Sequence, residues 1–177
     1  MSGRKASRDT QWIRDAFDRH EGPLVRYAMR LTGDLELARD VVQDTFLRLC
    51  RQPRDRVDRH LAAWLFTVCR RRALDVMKKQ SRVRSLDAAP DREPASQPTQ
   101  EAILERRESA AHILALLETL PLREQEVVRL KLQNELSYRE IGEVTGLSVS
   151  NVGYLIHTAI RKVRAMTKRE SEAVRKE

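Results

Sequence analysis

The stretch Ser137–Arg164, SYREIGEVTGLSVSNVGYLIHTAIRKVR, predicts a helix, a tight turn and a longer second helix. Ser137 followed by Glu140 forms a capping box, in which the hydroxyl and the carboxylate satisfy free backbone amides at a helix start. Gly146 has the backbone freedom to end that helix, and Ser148 is a candidate N-cap for the next one. The stretch therefore has the outline of a helix-turn-helix.

The second predicted helix of this stretch has two different faces. Its apolar side consists of Val152, Ile156, Ala159, Ile160 and Val163. Its outward side consists of Ser150, Asn151, Tyr154, Thr158, Arg161 and Lys162. A DNA-binding helix-turn-helix places the start of its second helix in the major groove, where small polar side chains reach base edges and later cations meet phosphates. The pattern favours a DNA-reading helix, and a pair of ordinary bundled helices is the structural alternative.

Composition and charge agree with a nucleic-acid partner but do not demand one. The 177 residues carry a formal net charge of +8 and are 41% hydrophobic, which is enough for two small helical cores. Lysine and arginine release condensed counterions when they meet phosphates, so a basic chain suits a polyanion. A solvated basic surface would give the same net charge, and only the position of the cations on particular helices separates the two.

Membrane insertion, secretion and metal binding have no support in the sequence. No apolar run approaches the length of a membrane span, and the polar start MSGRKASRDT lacks the apolar core of a signal peptide, so we expect a cytoplasmic protein. Cys50 and Cys69 lack CxxC spacing, which argues against a disulfide framework or a zinc site. We expect both to be buried or half-buried apolar side chains.

The N-terminal third of the chain predicts three helices. Residues 12–17 place apolar side chains at helical spacing, and Gly22-Pro23 is expected to break that helix before a second one over residues 24–31. Asp34 is the candidate N-cap of a third helix that runs to about Cys50.

The third predicted helix has more patterned surface than one core face needs. Its inward stripe consists of Leu37, Ala38, Val41, Val42, Thr45, Phe46 and Leu49. Its opposite side carries what we call the acidic–leucine stripe, which consists of Asp40, Gln43, Asp44 and Leu47. An exposed acidic stripe that contains a leucine suggests a protein partner. A solvated face with one stray leucine is the alternative.

A fourth helix is expected over about residues 61–79, after a charged loop at residues 51–59. Cations accumulate on and just beyond it, at Arg70, Arg71, Arg72, Lys78, Lys79, Arg82 and Arg84. With Trp64 and Phe66 nearby, this mixture suits single-stranded or melted DNA, because phosphates meet the cations and unstacked bases lie on rings. Either ring could instead lie in the core, and for each aromatic residue considered alone the core position is favoured.

Residues 85–100, SLDAAPDREPASQPTQ, predict a flexible linker because prolines and small polar residues replace any apolar pattern. Two further helices are expected, one through residues 103–117 and one over residues 122–133 that covers the inner face of the helix-turn-helix. No strand pattern and no repeat is present. The predicted fold is all-α, with two small helical domains at residues 1–84 and 101–177, the second containing the helix-turn-helix.

Nothing in the sequence supports catalysis or a cofactor. The chain contains no glycine-rich phosphate loop, no GxSxG and no HExxH motif. Its histidines, His20, His60, His112 and His157, are scattered and lack partners at useful spacing. We therefore expect no catalytic residues, no metal and no cofactor, and an enzyme is disfavoured.

Three segments together resemble the bacterial RNA polymerase sigma factors of the small extracytoplasmic-function (ECF) type. DVVQDTFLRL at 40–49 is similar to the family's core-polymerase-binding segment, and AWLFTVCRRRALDVMKK at 63–79 is similar to its segment that melts and reads the −10 element. LPLREQEVVRLKLQNELSYREIGEVTGLSVSNV at 120–152 is similar to its −35-reading domain. The resemblance covers about residues 12–164 and follows the family's order.

The resemblance implies three groups of site residues. Core polymerase would be bound by Asp40, Gln43, Asp44, Leu47 and Arg48. The −10 element, held as separated non-template strand with a flipped base, would be bound by Trp64, Arg70, Arg71, Arg72, Asp75, Lys78 and Lys79. The −35 duplex would be bound by Arg139, Ser148, Ser150, Asn151, Tyr154, Thr158, Arg161 and Lys162.

The resemblance also implies partners, and it has departures. Core RNA polymerase, promoter DNA and a possible anti-sigma factor are the implied partners. Family members often have Asn at the position of Arg71, and a basic and a small polar residue at the positions of Gly153 and Tyr154, so the promoter sequence does not follow from the resemblance. A stand-alone helix-turn-helix regulator is the alternative function, but it would leave the acidic–leucine stripe and the basic fourth helix unexplained.

Overall fold

The computed structural model describes residues 2–84 and 112–174, with side chains between 10–81 and 112–169. Within these ranges the protein is helical and has no strand. The elements are α1 Ser2–Thr32, α2 Leu35–Leu49, α3 Arg54–Val57, a 3-10 turn Asp58–His60, α4 Leu61–Arg84, α5 over residues 112–118, α6 Leu122–Leu132, α7 Tyr138–Thr145 and α8 Val149–Val174. They form two compact units. The all-α prediction is confirmed, and the predicted linker lies outside the described residues.

The N-terminal unit is a three-helix packing of α1, α2 and α4. Each helix contributes fully buried apolar side chains to one core, among them Leu24 of α1, Leu49 of α2 and Leu65 of α4. Burying such a side chain stabilises the fold by roughly 1.5–3 kcal/mol relative to leaving it in water. The buried stripe of each helix thereby fixes which of its side chains face outward.

The predicted break at Gly22-Pro23 is wrong, because α1 continues through it with Pro23 inside the helix. A proline in a helix interior removes one backbone hydrogen bond and costs about 3 kcal/mol or more. Leu24 and Ala28 follow directly and are completely buried. Burial of this apolar face against the other two helices outweighs the local cost of the proline.

The segment predicted to be a loop at 51–59 is partly helical. Val57 on α3 is buried, so this charged stretch folds around one apolar anchor. The indole Nε1 of Trp12 donates a hydrogen bond of 2.7 Å to Oδ1 of Asp58. This contact ties the N-terminal half of α1 to the turn that leads into α4.

The predicted start of α2 is confirmed. Asp34 has an extended backbone, and its Oδ1 accepts a hydrogen bond of 2.9 Å from the backbone amide of Leu37. An N-cap of this kind contributes about 1 kcal/mol. It fixes where α2 begins and therefore the register of both of its faces.

The C-terminal unit contains the predicted helix-turn-helix, and its local signals are confirmed. The Ser137 hydroxyl accepts from the Glu140 amide at 3.3 Å, while a Glu140 carboxylate oxygen accepts from the Ser137 amide at 2.8 Å. Gly146 ends α7 in the left-handed conformation with φ of 77°. The Ser148 hydroxyl then accepts from the amide of Asn151 at 3.2 Å at the start of α8.

The core of this unit joins α6 to the helix-turn-helix, as the sequence predicted. Its fully buried apolar side chains are Val127, Leu130, Ile141, Val152 and Ala159. The turn depends on Gly142, where an added Cβ would lie 2.8 Å from the backbone oxygen of Leu147. That distance is too short for any other residue, so this glycine permits the close approach of the two ends of the turn.

We predict that the two cysteines differ sharply in reactivity. Cys69 is buried, and desolvation raises the pKa of its thiol to about 12, against a smaller lowering by its hydrogen bond with Thr45. Cys50 is exposed, so the expectation of burial is wrong for this residue. Because the thiolate is the nucleophile, a disulfide reagent at pH 8 should modify Cys50 fast and Cys69 only after denaturation. Equal rates of modification in the native protein would contradict the burial of Cys69.

Candidate polymerase-binding and DNA-binding surfaces

The acidic–leucine stripe lies on the outer face of α2. Asp40, Gln43 and Leu47 are exposed, and 52% of the Leu47 surface is accessible to water. Arg48 beside them is also exposed. The opposite face of α2 is buried in the core, so this arrangement leaves one apolar side chain surrounded by polar groups and open to a partner.

Asp44 of this stripe differs from its neighbours because it is half-buried and already paired. Its Oδ2 accepts a hydrogen bond of 2.6 Å from Nε of Arg72 on α4. The sequence assigned Asp44 to polymerase binding and Arg72 to the −10 element. The structure therefore joins two residues that the sequence analysis placed in different sites.

A groove between α1 and α2 adjoins the stripe and was missed by the sequence analysis. It has a volume of about 620 Å³, and Phe17, Val42 and Leu47 are among its lining residues. The ring of Phe17 packs against that of Phe46 at 4.9 Å between centroids, yet 39% of the Phe17 surface stays exposed. The signal in the sequence was the helical spacing of Ile13 and Phe17, which we used only to place a helix.

The residues predicted to bind the −10 element lie along α4 with different exposures. Arg71, Asp75, Lys78 and Lys79 are exposed, whereas Trp64, Arg70 and Arg72 are half-buried. The side chains of Arg82 and Arg84 lie outside the described residues. The exposed cations among them, Arg71, Lys78 and Lys79, can meet phosphates, whereas Asp75 adds a negative charge beside them.

The two aromatic residues of α4 have different environments. Phe66 is 1% exposed, and its ring meets that of Tyr27 edge-on at 5.2 Å. It is a core residue, so the alternative in which it stacks on bases is wrong. Trp64 is half-buried, so part of its surface remains accessible.

The outward side of α8 differs from the prediction at its centre. Ser150, Tyr154 and Arg161 are exposed as expected, but Thr158 is buried, and His157 is exposed in its place. A helix turns by about 100° per residue, so positions 150, 154, 157 and 161 lie within one narrow stripe, and position 158 lies to its side. We call Ser150, Tyr154, His157 and Arg161 the reading stripe. The spacing alone could have identified His157.

The remaining residues predicted for the −35 element lie beside the reading stripe. Asn151 and Ser148 are exposed at the start of α8, and Arg139 is exposed on α7. The prediction that Ile160 faces inward is wrong, because 37% of its surface is accessible. Because Asn151 is exposed at the start of α8, its side-chain amide can reach a base edge.

Lys162 was predicted to face outward, but its side chain is only 39% exposed and is paired with α6. Its Nζ lies 2.7 Å from Oε1 of Glu124 on α6, whose side chain is only 9% exposed. A buried carboxylate needs a compensating cation, so the lysine is drawn toward α6. Lys162 ties α8 to α6 instead of extending from the helix.

Gly153 lies inside the continuous helix α8, and no close contact requires a glycine there. An added Cβ would meet the Tyr138 ring at 3.6 Å, which is an ordinary contact. Glycine in a helix interior costs roughly 1 kcal/mol relative to alanine. Packing within this unit does not explain the glycine, in contrast to Gly142.

Charge is distributed unevenly over the helix-turn-helix. No lysine or arginine occurs between Arg139 and Arg161, while Glu140 and Glu143 lie in that interval. The start of α8 therefore presents neutral hydrogen-bonding side chains, with cations only at its flanks. Such an arrangement suits contacts to base edges at the centre and contacts to phosphates at the two sides.

The described part of the chain offers neither a metal site nor a membrane span. No group of three or more His, Cys, Asp or Glu side chains that could hold a metal ion occurs within residues 10–81 and 112–169. Among the described helices, none combines the length and the apolar character needed to cross a bilayer.

Comparisons with known proteins match both units. The model "Sigma-70 region 2" matches residues 16–83, and "Sigma-70, region 4" matches residues 111–163. The ECF RNA polymerase sigma factor EcfG of Rhodopseudomonas palustris is 30% identical over 142 residues, which are 79% of this chain and 76% of that protein. The ECF RNA polymerase sigma factor SigE of Mycolicibacterium smegmatis is 31% identical over 148 residues, which are 82% of this chain but 57% of that protein.

A solved structure shares the fold. It is the sigma factor RpoE of Bartonella quintana in complex with the anti-sigma factor NepR, with a TM-score of 0.66 and 22% identity. The match covers 88% of this chain and 96% of that one.

We predict that Lys162→Ala destabilises the C-terminal unit by about 1–3 kcal/mol, because it leaves the buried Glu124 carboxylate without its cation. Arg161→Ala is the matched control, since Arg161 is exposed and its loss should change the free energy of unfolding by less than about 0.5 kcal/mol. Urea unfolding followed by circular dichroism measures both. Glu124→Gln added to Lys162→Ala should recover part of the loss, and equal stability of the two single variants would contradict the pairing.

Proposed function

The chain belongs to the ECF family of RNA polymerase sigma factors, and from this premise we propose that its two units divide promoter recognition between them. A sigma factor directs transcription initiation by RNA polymerase and is not itself an enzyme. The N-terminal unit binds core polymerase and the −10 element, and the C-terminal unit binds the −35 element. A stand-alone regulator is not favoured, because both sigma region models match the chain in family order.

The exposed Leu47 on α2 is the observation that best supports polymerase binding. It lies among polar groups while the other face of its helix is buried, so its exposure serves no purpose within the fold. An apolar side chain that enters a pocket of its partner, surrounded by contacts that exclude water, can act as a binding hot spot. We propose that Asp40, Gln43, Asp44, Leu47 and Arg48 form the surface that meets polymerase.

The exposed cations of α4 support binding of the −10 element. Arg71, Lys78 and Lys79 are exposed on one helix, and Trp64 of the same helix is half-buried. In melted DNA, phosphates would contact these cations and unstacked bases would contact the ring of Trp64. Taking one base out of the stack costs a few kcal/mol, which these contacts must offset.

The reading stripe and Asn151 support recognition of the −35 duplex. Asn151 and Tyr154 project from the first turns of α8, where the reading helix of a helix-turn-helix meets base edges. Arg139 and Arg161 flank them and are placed to contact phosphates. Thr158 and Lys162 no longer belong to this surface, and His157 joins it.

We further propose a cytoplasmic location and an inhibitory protein partner. Core polymerase works in the cytoplasm, so a chain that binds it acts there. The exposed apolar residues that support polymerase binding, Phe17 and Leu47, are also those that an anti-sigma factor would cover. The proposed domain limits remain 1–84 and 101–177, with residues 85–100 as the linker between them.

Run-off transcription with purified core polymerase tests the function as a whole. We expect promoter-dependent transcripts only when the chain is added. A stand-alone regulator would bind DNA without producing transcripts, and that result would overturn the proposal.

We predict that Leu47→Ala weakens binding to core polymerase by about tenfold or more, because truncating a buried interface anchor costs roughly 1.4 kcal/mol or more. Leu35→Ala is the matched control, since Leu35 lies on the same helix, is 43% exposed and is outside the acidic–leucine stripe. Titration of labelled protein with core polymerase measures both affinities. Equal affinities for the two variants would refute the assignment of the stripe.

We predict that Asn151→Ala and Tyr154→Ala cost the polymerase complex about 1–3 kcal/mol on its preferred −35 sequence and relax the preference at one position. Arg161→Ala should instead weaken all sequences alike, because a phosphate contact carries no base information. Binding of the complete complex to duplexes substituted through the −35 element separates the two effects. A uniform loss for all three variants would contradict base reading by α8.

A further inference from the structure

We propose that Arg72 is a positioning residue for Asp44 and holds that carboxylate toward core polymerase, instead of contacting the −10 strand. This inference rests on the proposed binding of polymerase by the acidic–leucine stripe. It assigns to the fourth helix a part in polymerase binding that its cationic sequence does not suggest.

The contact that carries the inference is short and joins distant parts of the chain. Nε of Arg72 lies 2.6 Å from Oδ2 of Asp44, across 28 positions of sequence. The side chains are 32% and 40% exposed, respectively, so water screens the pair less than it would an exposed one. A charge-assisted hydrogen bond of this length restricts the rotamers of both residues.

The packing of α2 against α4 fixes the position of the Asp44–Arg72 pair. Thr45, the next residue on α2, and Cys69 of α4 are both fully buried where these two helices pack together. Arg72 lies three residues after Cys69 and therefore close to one helical turn along the same helix. The joint between α2 and α4 thus sets the distance at which the arginine meets the carboxylate.

One bond from Arg72 leaves the carboxylate able to serve a partner. An ionised carboxylate has two oxygens and about four acceptor positions, so Oδ1 and the remaining lone pairs can accept from another donor. The neighbours Gln43 and Leu47 point outward from the same side of α2. Asp44 is therefore held beside the apolar anchor in a direction it would otherwise sample only part of the time.

Arg71 supplies the contrast within the same helix. It precedes Arg72 directly, carries the same charge and is exposed. To contact a phosphate, Arg72 would first have to break its ion pair with Asp44. The exposed Arg71 side chain is not held by that ion pair. The cationic run of α4 thus contains one residue suited to DNA and one engaged with α2.

The experiment measures affinity of the full-length chain for core polymerase in the absence of DNA. Arg72→Ala should weaken binding by about fivefold, and Arg71→Ala should change it by less than about twofold. Combining Asp44→Asn with Arg72→Ala should bind no more weakly than Asp44→Asn alone, because the arginine acts through the carboxylate. Thermal unfolding shows that each variant is folded.

A charge exchange separates positioning from simple support of the fold. Asp44→Arg combined with Arg72→Asp restores the ion pair and should restore thermal stability, yet it presents the wrong charge to polymerase and should bind as weakly as Asp44→Asn. Restored polymerase binding in this double variant would show that the ion pair matters only because it stabilises the fold, and would overturn the proposal.

The remaining outcomes are also decisive. Polymerase affinity unchanged by Arg72→Ala, or losses that simply add in the combined variant, would overturn the positioning role while leaving polymerase binding intact. Affinity unchanged by Asp44→Asn would remove Asp44 from the polymerase surface and the proposal with it. Failure of the unaltered chain to bind polymerase would instead overturn the proposed function.

Discussion

The buried joint between α2 and α4 is the constraint on which the N-terminal unit depends. Thr45 and Leu49 of α2 and Cys69 of α4 are all completely buried there, and a core this closely packed does not deform gradually. Each helix has only one rotation that buries its apolar stripe. Once that rotation is fixed, the outward direction of Leu47 is fixed as well, without any interaction devoted to it.

The helix-turn-helix of the C-terminal unit depends on backbone geometry at two glycines. The turn closes because Gly142 lets the oxygen of Leu147 approach within a distance that a Cβ would block. Gly146 then reverses the chain in a conformation that other residues adopt at a cost. With both ends of the turn set, the caps at Ser137 and Ser148 fix where the helices begin, and the reading stripe follows from that register.

Local signals in the sequence predicted the helices and their caps, and failures occurred where tertiary contacts override local preference. The capping box at Ser137 acts within four residues, so it can be recognised from the sequence without knowledge of the tertiary structure. Pro23 illustrates the opposite case, because its cost is local while the burial that outweighs it comes from other helices. Lys162 was misplaced for a related reason, since a predicted outward direction cannot anticipate a carboxylate on α6 that needs a cation. Thr158 was misplaced for a local reason, because helical spacing puts position 158 to the side of the reading stripe.

The same limit applies to the candidate sites. The acidic–leucine stripe could be predicted because it is a pattern on a single helix, repeated at helical spacing. The groove beside it and the ion pair of Asp44 both require a second helix at a known distance, and no spacing in the sequence encodes that distance. Roles shared between helices were therefore assigned to one helix at a time, and this is why Arg72 was grouped with the cations around it.

The charge distribution over α7 and α8 has a consequence for how the two units work together. Phosphate contacts supply most of the non-specific affinity for DNA, and a reading helix without cations between Arg139 and Arg161 can make few of them. If this unit reads the −35 duplex, few of its contacts can be to phosphates, so base contacts would account for a larger share of its binding. If the N-terminal unit is bound to polymerase at a promoter, a tether converts −35 binding into an intramolecular step, at an effective concentration that reaches the millimolar range for short flexible linkers. In that arrangement a C-terminal unit with few phosphate contacts would add selectivity to the assembled complex, while other parts of the complex supply most of the affinity.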